Sequence, residues 1–566
     1  MMLDDDSFTN VWLNVGRYLN QNDLASLSLV SKRFHTAIAR PLLYKRVRIT
    51  REPIIRSDKW WLDCGTTYIS GYRSVKKTSS QNDLYLWDRI ERFLECSSES
   101  LELVRDLIID DNLFEDSEEG YILLKELIKK MVGIGLLEKL EIKDLELFNT
   151  FYNMTFSLEN LRALGLWDFE LPKENFNFPN LRCVKWIFDA HIFSCKPLSD
   201  SFKKLLAKQI NRIELLFTDP SISSLSFLTI LHQQGLIFPE VESLKFNFIH
   251  AADLSNDKDG YGYKLFDLLC GLFDVNKLKK LEVDFSCDWP ECECANEFLT
   301  QLAPHLTSIR DIGLGETHYK EKGNHNVEEK FDVTIGRFLL AIPRVGETLR
   351  TLCLQYDPPL NGMGVDNVEG NYYRRRRLFE NLLPKLKSLQ KLVVPRMLQA
   401  ISPYEIVVCD LLWNGCLCSY CNEHLPRFDE YLMNHQYYSM ENGKYEDIIP
   451  PVFFGYAGDV LSKRTTTEVE WGTDTFKTAP LSQSWNFHGY ERVNHFHNYN
   501  CTFDENDFQP LAKCISHFFD GYMVHFTRFM PNLRMAVLNG VYYRTVPPVN
   551  TKETFVQNAP YECIYD

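Results

Sequence analysis

Apolar residues recur along this chain in the spacing L-x-x-L-x-L, where the last two flank one residue as the inward positions of a short strand do. Eleven segments fit: Val104/Leu107/Ile109, Leu137/Leu140/Ile142, Leu161/Leu164/Leu166, Leu181/Val184/Trp186, Ile210/Ile213/Leu215, Val241/Leu244/Phe246, Leu278/Leu281/Val283, Ile309/Ile312/Leu314, Leu349/Leu352/Leu354, Leu389/Leu392/Val394 and Leu533/Ala536/Leu538. Starts up to residue 389 lie 20 to 40 residues apart. The intervals carry helical patterns at 121–132, 263–273 and 338–342. Phe-Pro-Asn-Leu at 178–181 and Phe-Pro-Glu-Val at 238–241 put a proline where helix gives way to strand. A strand-and-helix repeat explains the pattern better than an ordinary α/β domain with coincidentally similar strands.

The pattern resembles leucine-rich-repeat proteins over residues 100–395, resuming near 530, although the asparagine that usually follows each strand in that family is not regular here. The resemblance implies an irregular solenoid, a horseshoe. In each strand the residue between the paired apolar positions points away from the core. Read in order from residue 141 these are Glu141, Gly165, Lys185, Glu214, Lys245, Glu282, Gly313, Cys353, Val393 and Val537, a row that changes from mainly charged to small and apolar. An apolar strip of that kind is expected to be covered, by the segment 395–530 in preference to a partner.

Before the repeats, Val11, Val15 and Leu19 recur every four residues, Asn22-Asp23 offers a helix cap ahead of Leu24 and Leu27, and Ser31 caps a third helix carrying Phe34 and Ile38 until Pro41. Three short helices within about 35 residues cannot bury all their apolar faces, so they finish their core against the repeats or a partner. The segment resembles the F-box through Asn22-Asp23-Leu24, Leu29-Val30-Ser31-Lys32-Arg33-Phe34 and the closing Pro41-Leu42-Leu43-Tyr44-Lys45-Arg46-Val47, but Ser7-Phe8 replaces the family's usual Leu-Pro. That resemblance implies binding of a Skp-family adaptor, and through it a cullin, by Val11, Val15, Leu19, Leu24, Leu27, Val30 and Phe34. A helical cap on the repeats is a second role for the same helices, and the two can coexist. Tyr44/Val47/Ile49 repeats the strand template, so the first strand follows without a linker and residues 51–82 form a surface excursion.

The expected fold is therefore α/β. Residues 7–47 form a three-helix F-box-like unit, 48–394 the solenoid, 395–530 a Cys/His- and aromatic-rich insert, and 531–566 a terminal repeat strand and tail.

Composition narrows the function. The 566 residues are 45% hydrophobic and 25% charged, which excludes global disorder, and 62 Lys and Arg against 77 Asp and Glu give a net charge of -15, which disfavours nucleic acid. No secretory pattern or membrane span is evident, and the protein is expected in the cytoplasm or nucleus. None of the common short catalytic signatures is present, so an enzyme is not expected.

Cys416, Cys418, Cys421 and His424, with His495, His497, Cys501, Cys514 and His517 downstream, carry zinc-type donors, but C-x-C-x-x-C is not a paired knuckle. Cys287, Cys292 and Cys294 form a second cluster after the Leu281–Val283 strand. Ordinary thiols are expected at both, with no metal and no cofactor. Arg374, Arg375, Arg376 and Arg377 could dock an acidic or phosphorylated segment. Two functions fit: a substrate receptor of an SCF-type ubiquitin ligase, or a non-ligase regulator that sequesters or scaffolds a partner such as a small GTPase.

Overall fold

The computed structural model describes residues 5–16, 19, 21–50, 66–70, 79–96, 98–110, 113–114, 118–152, 158–167, 178–188, 200–217, 224–250, 260–287, 292–316, 327–355, 377–394, 419–420, 423, 522–538, 541–545 and 561–563. Their strands fall into two compact units.

The first unit opens with helices α1 (Asp5–Gly16) and α2 (Gln21–Val30), a π-helical turn at Phe34–Ala39, and α3 (Arg40–Lys45). Its strands are β1 (Arg46–Thr50), β2 (Thr67–Ser70), β3 (Asp106–Ile109), β4 (Lys139–Ile142), β5 (Ala163–Trp167), β6 (Cys183–Phe188) and β7 (Arg212–Phe217). They pair in parallel in the order β2-β1-β3-β4-β5-β6-β7. The second unit holds β8 (Ser243–Ile249), β9 (Lys280–Phe285), β10 (Asp311–Glu316), β11 (Thr351–Gln355), β12 (Lys391–Val394) and β13 (Met535–Leu538), parallel and in chain order. Antiparallel β14 (Val541–Thr545) and β15 (Tyr561–Cys563) follow.

All eleven apolar templates, and Tyr44/Val47/Ile49, end on a strand. Their middle residues are in register, Leu107, Leu140, Leu164, Val184 and Ile213 in one unit and Leu244, Leu281, Ile312, Leu352, Leu392 and Ala536 in the other, and all are buried. A backbone device repeats at the start of the strands: one carbonyl accepts two successive N–H groups from the next repeat. Arg105 O receives Glu138 and Lys139, Glu138 O receives Arg162 and Ala163, and Arg162 O receives Arg182 and Cys183. Glu242, Lys279, Arg310, Arg350 and Gln390 do the same in the second unit. This main-chain ladder needs no particular side chain, which explains why the strands stay in step while the asparagines are irregular. Where asparagine does occur, in the turns before β5, β6 and β13, Asn160, Asn180 and Asn532 donate to Gly135 O, Glu159 O and Lys387 O of the preceding repeat.

Three expectations change. Residues 67–70 lie in the supposed surface excursion, yet Thr-Tyr-Ile-Ser, β-branched and aromatic, forms β2 on the edge of β1. At the C-terminal end an antiparallel pair follows the expected strand. Pro41 does not stop the third helix, because it occupies the first turn of α3, where its missing N–H costs little. The turn before it widens to π winding, with Arg40 N–H donating to His35 O, which gives the ring room.

Candidate protein-binding sites

The helical unit has a small core of its own. Leu24, Ile38 and Leu42 are buried, and Trp12, Leu13, Leu19, Leu27, Phe34, Ala37 and Leu43 pack around them. Phe34 meets Trp12 edge to face with centroids 5.0 Å apart. Ser31 caps the third helical segment as expected, its Oγ accepting the Phe34 N–H at 3.2 Å. Gln21 already begins α2, so Asn22 and Asp23 lie within the first helical turn and not ahead of it.

The seven residues named for adaptor binding therefore divide. Leu24 is 1% exposed, while Leu19, Leu27 and Phe34 pack against the same core, so these four shape the unit from within. Val11 is 50% exposed, Val15 42% and Val30 67%, and Leu29, which is not among the seven, is 87% exposed. Two of these exposed aliphatic residues lie on α1 and two at the end of α2. The strongest signal for Leu29 was in the sequence: it precedes Val30 immediately before the capping serine.

The unit is tied to its sheet without slack. α3 runs directly into β1, and the Gln21 side chain both donates to Tyr68 O, at 3.5 Å, and accepts the Tyr68 N–H, at 3.0 Å, on edge strand β2. Arg40 donates to Ser100 Oγ through Nε at 3.2 Å and through a terminal nitrogen at 2.8 Å. Tyr44 stacks on Phe93 with centroids 6.1 Å apart and bonds Cys96 Sγ at 3.4 Å. Burial, reinforced by that hydrogen bond, pushes the Tyr44 phenol up to about 12, so it stays neutral.

The row between the paired apolar positions was expected to point away from the core, and it is nevertheless buried. Glu141, Lys185, Glu214, Lys245 and Glu282 are all enclosed, as are Cys353, Val393 and Val537. The charges are matched within each unit. Gly165 lies between Glu141 and Lys185 in the register, and its lack of a side chain lets Lys185 reach across two strand spacings, about 10 Å, to Glu141. Arg212 pairs with Glu214. In the second unit Lys245 lies opposite Glu282 and bonds it at 2.9 Å. At the head of the first sheet Asp110 bridges Arg48, at 3.0 Å, and Lys143, at 2.9 Å. Burial pushes the Asp110 carboxyl up, but Lys143 and Arg48 outweigh it and hold the group below its usual value.

The other named residues are placed as follows. Arg377 is exposed at the start of the Arg377–Leu382 turn, while Arg374, Arg375 and Arg376 lie outside the described residues. Cys416, Cys418, Cys421 and His424 also lie outside them, as does nearly all of 395–530. Cys353 is a buried thiol and Cys183 a half-buried one; loss of solvent raises both, Cys183 to about 12. Cys287, Cys292 and Cys294 converge with His250, which the sequence gave no reason to join to them because it belongs to the preceding repeat. Hydrogen bonds from Cys287 and Cys294 drive the Cys292 thiol far down, and a hydrogen bond from Cys287 together with burial drives Cys294 up. Among the described residues no helix is long and apolar enough to cross a membrane.

Residues 9–50, which span the helical unit and β1, match the F-box-like family. The chain is 41% identical over 559 residues to the non-SCF-type F-box protein ROY1 of Saccharomyces cerevisiae, covering 98% of this chain and 100% of that protein. This chain belongs to the F-box protein family. The F-box-like helices are thus the unit with its own small core and exposed valines, and membership of the family implies a protein partner.

Proposed function

We propose that this F-box protein is a non-enzymatic regulator that binds a Skp-family adaptor through its F-box-like helices and holds a second protein without acting as an SCF substrate receptor. The observation that carries the reading is the exposed set Val11, Val15, Leu29 and Val30 on a helical unit locked to its sheet. The relative's name, a non-SCF-type F-box protein, favours the regulator over the ligase receptor. The opening also supports it: the family's Leu-Pro start is replaced by Ser7-Phe8, within the helical backbone of α1.

A binder without chemistry regulates by occupancy, which suits a partner whose activity depends on its conformational state, such as a small GTPase. The repeats are read as irregular leucine-rich repeats, and what supports this is the coincidence of all eleven templates with in-register strands. The setting we propose is the cytoplasm or nucleus, where a Skp-family adaptor would meet the F-box-like helices.

The test is affinity purification of the full chain. The adaptor is expected in stoichiometric amount without cullin, and Val11→Asp with Val30→Asp removes it. Stoichiometric cullin with ubiquitin transfer to a bound protein would overturn the reading in favour of a ligase receptor.

A further inference from the structure

We propose that His250, Cys287, Cys292 and Cys294 bind one structural zinc ion. One donor atom from each lies within 4.8 Å of all the others. A tetrahedral zinc with bonds of about 2.0 Å to nitrogen and 2.3 Å to sulfur sets its donors roughly 3.5 to 3.8 Å apart. Cys292 Sγ and His250 Nδ1 are 3.4 Å apart, so thiol rotations of about 1 Å complete the tetrahedron.

The fold brings these residues together from distant positions. β8 and β9 pair in parallel to Ile249 and Phe285, and Ser286 N–H donates to Ile249 O at 2.9 Å, so His250 and Cys287 leave the sheet side by side. The β8–β9 register shifts between Phe246 and Ile249, and His250 itself has a left-handed backbone, φ 58°, which only a few residue types adopt without cost. Strain of this kind is kept where something else fixes the residue. The imidazole stacks on the buried Tyr261 ring at 3.9 Å between centroids, and the Tyr261 hydroxyl is in turn bonded to Ser224 at 2.9 Å. The ring is thereby oriented before any ion arrives, as the outer partners of metal-binding histidines do.

Cys294 opens the helix Cys294–Leu302, which fixes its place beside the other donors. Gly262 lets the helix Tyr261–Leu272 approach that opening; a Cβ there would collide with the Cys294 carbonyl and the Phe298 nitrogen. The Gly262 N–H also donates to Glu297 at 3.1 Å, fixing the two helices together.

Three thiolates and one imidazole form a closed soft donor set, which selects zinc in its structural role and leaves no position for substrate. His250 and Cys294 are buried and Cys287 and Cys292 half-buried, so the ion would join the ends of two strands to a helix away from bulk water. Its binding energy would add directly to the stability of the second unit.

Elemental analysis of the full chain purified without chelator is expected to find a zinc that Cys292→Ser with Cys294→Ser removes, lowering the content by about one per chain. Changing Cys416, Cys418 and Cys421 to Ser leaves this ion in place. Because the first variant could misfold, two further measurements bear on the same claim. His250→Cys, which supplies a fourth thiolate, is expected to keep the ion. Titrating chelator-treated wild type with Co2+ is expected to give thiolate-to-cobalt absorption and a higher melting temperature. Zinc unchanged in the Cys292/Cys294 variant overturns the proposal, as does wild type that neither carries zinc nor gives the cobalt absorption.

Discussion

The F-box-like helices and the strand repeats dispose of their side chains in opposite ways. The helices bury only enough to hold together and leave four aliphatic residues in water; the strands bury nearly everything, including the charges of their middle row. A surface apolar residue and a buried charge are both costly in isolation, so each needs a partner. The buried charges find theirs within the chain. The exposed valines stay uncovered among the described residues, and the partner we propose for them is a second protein. The same comparison withdraws the middle row of the strands as a free docking face, because its residues are already enclosed.

The largest test of this contrast is Val393→Glu. Val393 is fully buried on β12, and a carboxylate there has no cation opposite it in the register, where Cys353 and Val537 flank it. The variant is expected to lose several kcal/mol and to aggregate on expression or melt far below wild type. An unchanged melting temperature would mean that the row is open to solvent and available to a partner.

Next comes Asp110→Asn, which leaves Arg48 and Lys143 without their shared carboxylate and should cost about 3–5 kcal/mol. The sign with pH follows from the lowered carboxyl. Its stabilisation is fully present above the unfolded value of about 3.9 and is lost as pH falls through the folded value. The gap between wild type and variant in urea unfolding should hold from about pH 5 to 8 and narrow below about pH 4. A gap that widens in acid would contradict the assignment.

Glu141→Gln should cost somewhat less, because Lys139, half-exposed, can turn to water while Lys185 cannot. Replacing the pair together, Glu141→Leu with Lys185→Met, should recover most of the loss, since a buried pair exchanged for apolar groups of similar size is often close to neutral. A double variant as unstable as Glu141→Gln would show that the charges do more than neutralise each other.

Much of this was legible before the fold was known. The L-x-x-L-x-L template located every repeat strand because burial on one side of a strand leaves a period-two signature that long, irregular connections cannot erase. It missed β2 and β15, the terminal strands of the order, and β14, which pairs antiparallel with β13; none of the three belongs to a repeat that would impose that pattern. The F-box-like segment was visible through Val30-Ser31-Lys32-Arg33-Phe34, but the sequence could not separate Leu24 and Phe34, which face the core, from Val11 and Val30, which face water. In helices this short the apolar residues cover both faces, so spacing alone is silent. The buried charges were invisible for a different reason. Lys185 and Glu141 meet across Gly165, and that pairing depends on register between strands, not on neighbours in the chain. His250 joins the three cysteines by the same kind of long-range register.

The smallest effect on stability, and the most direct test of the central claim, belongs to Val11→Asp with Val30→Asp. Both residues are already exposed, so melting should move by no more than about 1 kcal/mol. The decisive measurement is the composition of the complex formed when the purified chain is mixed with Skp adaptor and cullin and resolved by mass. The account predicts a complex of chain and adaptor that excludes the cullin, lost in the Val11/Val30 variant while the variant remains folded. A complex of all three proteins, or adaptor binding undiminished in that variant, would contradict it.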